Sequence, residues 1–295
     1  MELRVLRYFL AVASEETISG ASELLHISQP TLSRQLMDLE KELGKQLFIR
    51  GNRKVTLTQD GIFFRKRAQE IIDLVDKTQA DFNSTEELIS GNISIGCGET
   101  DAMKLIAKIA HNLQQKHPNI RYNIFSGNGD DVVDKLDKGL IDFGILIEPA
   151  NITKYDFIKI PAKDTWGVLM KKDSPLASKV YIEPSDLFNL PIITSNQTMV
   201  SSELTKWLGK SFHELNIVST YNLVFNASLL VEEGMGYALC LDKLINTTGD
   251  STLCFRPLYP PLEAHLNIVW KKHQVFSKAA EKFISCIKSE FNLYR

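Results

Sequence analysis

Apolar residues recur at helical steps through the first part of the chain and then give way to short runs of strand length, so two textures divide the sequence. Leu6, Phe9, Leu10 and Ala13 predict a first helix over Leu3 to Ser14. Two short helices follow between Ser19 and Glu40, with Ala21, Leu24 and Leu25 marking the inward face of one and Leu32, Leu36 and Leu39 that of the other. Ser28 and Gln29 precede Pro30, whose fixed φ suits a first helical turn, so Ser28 is the predicted N-cap. Leu43, Leu47 and Phe48 complete this small core, and the segments LFIR and VTLT on either side of GNRK (Gly51 to Lys54) predict a hairpin with a basic tip. Thr58 can cap a further helix from about Gln59 to Leu88, in which Phe64, Ala68, Ile71, Val75, Thr78 and Phe82 alternate steps of four and three, the spacing of a coiled-coil seam. Such a helix would extend about 45 Å, too far for its seam to stay dry on one chain, with packing against its own chain as the competing explanation.

Beyond Ser90-Gly91 the runs NISIGC, RYNIF, DFGILI, WGVLM, PIIT, YALCL and NIVW alternate with helical segments such as Ala102 to Lys116 and Ser201 to Gly209. Strands alternating with helices predict a layered α/β architecture. Ligands of such sheets bind past the carboxyl ends of strands, which here directs attention to three loops. Gly98, Glu99 and Thr100 follow the first strand, Ser126, Gly127 and Asn128 the second, and Thr194, Ser195 and Asn196 a later one. Hydroxyl and amide groups beside backbone N–H groups suit carboxylates or other small anions, although each loop taken singly also reads as a plain helix cap. Glu99 complicates the anion reading, because its charge could instead recognise a cationic or hydroxylated ligand.

Charge sharpens the picture of the first segment. The chain of 295 residues carries a net charge of −2, yet between Ser28 and Arg67 nine basic residues stand against four acidic ones. Three helices and a basic hairpin in this order form a winged helix-turn-helix, and a local excess of positive charge in an acidic protein is the footprint of a DNA-binding module. Ser28, Gln29, Pro30, Thr31, Ser33, Arg34 and Gln35 occupy the first turn and outer face of the second short helix, with side chains that read base edges and phosphates. Arg50, Asn52, Arg53 and Lys54 would place the hairpin tip against the backbone or minor groove, the alternative being a solvated basic turn.

Other classes find little support. No run approaches a membrane span, and the start MELRVLRYFLAVASEE lacks a signal-peptide plan, so a cytoplasmic protein with no membrane partner is expected. Cys97, Cys240, Cys254 and Cys286 form no metal-type pair, and the six histidines show no HExxH spacing. With no GxSxG and no Gly-Lys-Ser/Thr loop, neither an enzyme nor a cofactor is expected.

The run SELLHISQPTLSRQLMDLEKELGKQLFIRGNRKVTLTQDG, from Ser22 to Gly61, resembles the LysR-type transcriptional regulators, and the rest of the chain agrees with them in length and plan. The resemblance implies a winged helix-turn-helix over 1–58, a dimerising linker helix over 59–89 with Phe64, Ala68, Ile71, Val75 and Phe82 in its seam, and an effector-binding domain over 90–295. That last domain would have the two-lobed plan of type II periplasmic binding proteins, with 90–161 and 267–295 in one lobe and 162–266 in the other. Crossovers are expected near Ile160-Pro161-Ala162 and Ala264-His265-Leu266. The implied partners are double-stranded promoter DNA, a second copy of the chain in a dimer or tetramer, a small-molecule effector between the lobes and, as a further candidate, RNA polymerase. Cys240-Leu241 after GMGYAL departs from the family, which often has a proline there. Two rivals stand beside this reading: a small-molecule-processing enzyme with an accessory DNA-binding domain, and a redox sensor using Cys97, Cys240 or Cys254.

Overall fold

The computed structural model describes residues 1–51, 54–82, 89–196, 202–209 and 214–291, in two compact units, Met1–Asn83 and Ser84–Arg295. Asn52 and Arg53, the expected helix beyond Phe82 and the Phe82 side chain lie outside the described residues.

In the first unit, α1 (Leu3–Glu15), α2 (Ile18–Leu24) and α3 (Gln29–Leu43) are followed by β1 (Phe48–Arg50), β2 (Val55–Leu57) and α4 (Gln59–Phe82). Leu6, Phe9, Val12, Ala21, Leu32, Leu36, Leu39, Leu47 and Phe48 form its core, with the Phe9 ring 5.0 Å from that of Phe48 and 4.8 Å from that of Phe64. Leu24 and Leu43, expected inside, are exposed. Each falls in the last turn of its helix, where the chain is already turning away from the core. The Thr58 hydroxyl accepts the Gly61 N–H at 2.9 Å and donates to the Gln46 carbonyl, so it opens α4 as expected. Gly61 lets α4 approach closely, since a Cβ there would lie 2.1 Å from the Leu47 carbonyl oxygen.

That close approach alters the seam. Ala68 is wholly buried and Ile72 nearly so, and Phe64 packs edge-on against Phe9, all within the unit's own core. Ala68 therefore has no surface to offer a second chain, and Phe64 and Val75 are half-buried. The outward apolar residues of α4 are Ile62, Phe63, Ile71 and Leu74, of which Phe63, Ile71 and Leu74 share one strip beside the expected seam and Ile71 alone belongs to both. The N-terminal half of the helix thus spends part of the apolar spacing on its own domain.

The second unit runs β3 (Gly91–Cys97), α5 (Met103–Lys116), β4 (Ile120–Ser126), α6 (Gly129–Asp137), β5 (Phe143–Ile147), β6 (Tyr155–Lys171), α7 (Pro184–Leu187), β7 (Pro191–Ser195), α8 (Ser202–Leu208), β8 (Asn216–Tyr221), α9 (Val224–Glu232), β9 (Tyr237–Leu241), β10 (Leu253–Pro257), β11 (Glu263–Lys271) and α10 (Lys278–Glu290). Strand order is β4-β3-β5-β11-β6-β9-β7-β8, with β10 also on β6. The parallel trio β4-β3-β5 belongs to one lobe and β8-β7-β9 to the other. Helices on both faces bury β3 and β5 along most of their length, which is why these strands read as unbroken apolar runs.

The two antiparallel strands β6 and β11 carry the chain between lobes. Strand β6 pairs β11 from Tyr155 to Thr165 and passes to β9 at Trp166, so the lobes are joined by continuous strands. Opposite the step from His265 to Asn267 the register shifts, and Ile160-Pro161-Ala162 fills the gap between Lys159 and Lys163. Both expected crossovers thus fall at one irregularity, where Pro161 forfeits no ladder hydrogen bond. Cys240-Leu241 continue β9 without interruption, facing Gly167 and Trp166 of β6.

Candidate functional site

Two regions gather the chemistry. In the first unit, Ser28 stands in extended conformation before α3, and its Oγ accepts the Thr31 N–H at 3.4 Å while lying 2.8 Å from the Thr31 hydroxyl. His26, at φ 54, turns the chain between α2 and α3. With Leu32, Leu36 and Leu39 buried, Ser28, Gln29, Pro30, Thr31 and Arg34 are exposed and Ser33 and Gln35 half-exposed, so α3 presents one polar face. Among the described residues Arg34 makes no ion pair.

Glu40 fixes this helix against the hairpin. Its Oε1 accepts the backbone N–H groups of Leu47 and Phe48 at 2.7 and 3.0 Å, and its Oε2 accepts from Arg50 at 3.3 Å. Arg50 also donates to the Ser33 Oγ at 3.4 Å, and Lys54 pairs with Glu16 at 2.9 Å. Among the described residues, both wing cations are therefore drawn back toward their own unit. They would have to leave exposed ion pairs to reach a phosphate, a modest cost because exposed pairs contribute little.

In the second unit a cavity of about 410 Å³ lies between the lobes. From one lobe Gly98, Glu99, Gly127, Asn128, Asp130 and Glu148 reach it, and from the other Trp166, Ser195, Tyr221, Asn222 and Leu241. Five of the nine expected residues are there: Gly98, Glu99, Gly127, Asn128 and Ser195. Thr100 is buried beside the cavity and occupied elsewhere, its hydroxyl donating to Asp164. Thr194 points into the core with no exposed surface, because alternate residues of β7 face opposite sides and Ser195 takes the cavity side. Ser126 and Asn196 are exposed outside the cavity.

The helix N-termini beside the cavity already have partners. Asn128 and Asp131 form a reciprocal capping box on α6. The Thr100 hydroxyl accepts the Ala102 N–H at 3.1 Å ahead of α5. Leu223 supplies no cap for α9, and the Glu99 carboxylate crosses from the other lobe to accept the Val224 N–H. The sequence marked Glu99 as a wall residue but gave no sign of this bridge, which joins positions 125 residues apart.

A continuous part of the wall that the strand-end loops did not include comes from the β5–β6 connection. Glu148, Pro149, Ala150, Asn151, Lys154 and Tyr155 line the cavity, and Pro149 follows a cis peptide bond. Glu148 Oε1 accepts from the Asn267 amide at 2.8 Å, Lys154 pairs with Asp137 at 3.4 Å, and the Tyr155 hydroxyl donates to Asp137 at 2.6 Å. The strand-end rule applies to β5 as it does to β3, and following it there would have found Glu148.

The buried thiols argue against redox chemistry. Burial pushes Cys240 up to about 12 and also raises Cys97 and Cys254, away from the thiolate form that oxidants attack.

Comparison with known proteins accords with both regions. Residues 3–62 match the family profile described as bacterial regulatory helix-turn-helix protein, lysR family, and residues 86–292 match the LysR substrate binding domain. YbhD of Escherichia coli K12, an HTH-type transcriptional regulator, is 26% identical over 295 residues, spanning 97% of this chain and 90% of YbhD. HcaR of the same organism, the Hca operon transcriptional activator, is 26% identical over 294 residues, spanning 98% of this chain and 97% of HcaR. Among solved structures, CbnR, a LysR family transcriptional regulator, superposes with a TM-score of 0.76 at 18% identity, covering 98% of this chain and 99% of CbnR. Full-length CbnR complexed with its target DNA gives the same TM-score of 0.76 at 19% identity. No described helix is long and apolar enough to cross a membrane. The two profiles together span nearly the whole sequence, with a capped polar-faced helix in one and a two-lobed cavity in the other, and the chain belongs to the LysR family of transcriptional regulators.

Proposed function

We propose that this regulator acts in the cytoplasm, reading double-stranded promoter DNA with α3 and responding to a small molecule held between the lobes of its second unit. The polar face of α3, held over Leu32, Leu36 and Leu39 and capped by Ser28, is the observation that carries the DNA reading. Gln29 and Arg34 are the residues best placed for base edges, Ser28 and Thr31 for phosphates. Arg50 lies against that face through Ser33, and both it and Lys54 would exchange their carboxylate partners for phosphates.

The outward strip of Phe63, Ile71 and Leu74 on α4 supports pairing with a second copy. A dimer would present two α3 helices to half-sites about one helical turn, or a multiple of it, apart. In the cavity Glu99, Asn128, Glu148 and Ser195 would contact an effector, with Thr100 and Asp164 setting the wall behind Glu99. An effector that fits one arrangement of the lobes better than another shifts the protein toward it. The test is selection of bound sequences from a random duplex library with the full-length protein. Recovery of a partly palindromic motif supports the proposal, and retention of DNA without sequence enrichment contradicts it.

A further inference from the structure

Three carboxylates, from Glu99, Asp130 and Glu148, line the interlobe cavity, and among the described residues no ion pair engages any of them. Lys154 is the basic residue of the wall, and its charge is already met by Asp137. An incoming anion would find the α9 N-terminus filled by Glu99 and the α6 N-terminus closed by its capping box. Fields add in a cleft with low-dielectric walls, so the cavity repels anions and draws cations.

Two further features bear on the occupant. Asn267, 1% exposed, donates its amide to Glu148 and leaves its own Oδ1 without a partner, a buried acceptor beside an acceptor carboxylate. Asn267 lies behind the wall, and its amide fixes the Glu148 carboxylate that does line the cavity, whose remaining lone pairs suit a group that only donates, as an ammonium does. The rest of the wall sets apolar and aromatic residues, Val133, Pro149, Trp166 and Tyr221 among them, beside the amides of Asn128, Asn151 and Asn222. Aromatic faces favour a cation on an apolar body.

We propose that the effector is a small organic cation, a protonated amine on an apolar frame, with Glu148 as its principal counter-ion. The assignment rests on the cavity being the effector site. Three probes that share the phenylethyl frame separate the possibilities: 2-phenylethylamine, 2-phenylethanol and phenylacetate, each titrated calorimetrically into the full-length protein. The amine is expected to bind at least about ten-fold more tightly than the alcohol, a difference of about 1.4 kcal/mol, and phenylacetate more weakly than either. Glu148→Gln should remove that ten-fold advantage and leave the alcohol unchanged, which a general loss of folding would not do. Ala150→Trp, which fills the cavity, should abolish binding of the amine and the alcohol alike. Tighter binding of phenylacetate, still abolished by Ala150→Trp, would overturn the cation assignment while leaving the cavity as the site. Binding untouched by Ala150→Trp would overturn the site itself, and no binding of the amine at about 10 mM would overturn the assignment.

Discussion

The Thr100 hydroxyl donates to Oδ2 of the buried Asp164 at 2.5 Å, and the Thr100 Oγ1 itself accepts the Ala102 N–H at 3.1 Å. Thr100 is therefore held beside the cavity and does not line it. Thr100→Val removes both hydrogen bonds and leaves a buried carboxylate without its donor, at an expected cost of about 1 to 3 kcal/mol of stability. Thr100→Ser keeps the hydroxyl and should recover most of the loss. Denaturant midpoints of the two variants check this, and equal stability of Val and wild type contradicts it.

Asp164 gives a dependence on pH. Burial, with the neighbouring charges of Asp242 and Asp101, holds its carboxyl above the usual range against the pull of the Thr100 hydrogen bond. The folded protein then binds this proton more tightly than the unfolded chain does. The stability Asp164 contributes is full below the ordinary carboxylate value and is lost as pH rises through the raised folded value. Asp164→Asn keeps an acceptor for Thr100 without the charge, so its melting temperature should exceed that of wild type at neutral pH. The excess should shrink toward about pH 4. A gain that does not change with pH would remove the charge as its cause.

The helical elements of the first unit were legible because apolar spacing, the Ser28 cap and Pro30 agree, and no distant contact overrides them. The α4 seam misled for the opposite reason. Phe64, Ala68 and Ile71 fit a heptad, but Gly61 and Phe9 pull the helix onto its own domain, and a sequence does not display which face a neighbour covers. In the second unit the short buried strands stood out, whereas Tyr155 to Thr165 did not, since polar residues and Pro161 interrupt a strand that pairs through a bulge. Strand-end loops located Gly98, Glu99, Gly127, Asn128 and Ser195 but not most of the wall; the bridge from Glu99 to Val224 depends on lobe closure, which local pattern does not encode.

The α4 strip bears on assembly. Leu74→Glu places charge on an exposed position of the isolated chain and should leave its fold intact. In a dimer the same charge would be buried unpaired, a cost of several kcal/mol. Sedimentation of this variant should show monomers with unchanged helicity. A persistent dimer would move the contact away from Phe63, Ile71 and Leu74.

Thiol reactivity separates the regulator reading from a redox sensor. Cys286 is the half-buried thiol, while Cys240 is buried and pushed up to about 12. Alkylation of the native protein followed by mass spectrometry should modify Cys286 first and Cys240 last. Rapid modification of Cys240, or an oxidant response that disappears when all four cysteines become Ser, would restore the redox reading.

The central claim is that α3 reads base sequence, and Gln29→Ala and Arg34→Ala test it most directly. Affinities of the full-length variants for the selected site and for random duplex, compared at one salt concentration, are the measurement. Each variant should lose about 1 to 3 kcal/mol on the selected site and distinctly less on random DNA. Equal losses on both would make Gln29 and Arg34 phosphate contacts, and no loss on either would take α3 out of the interface.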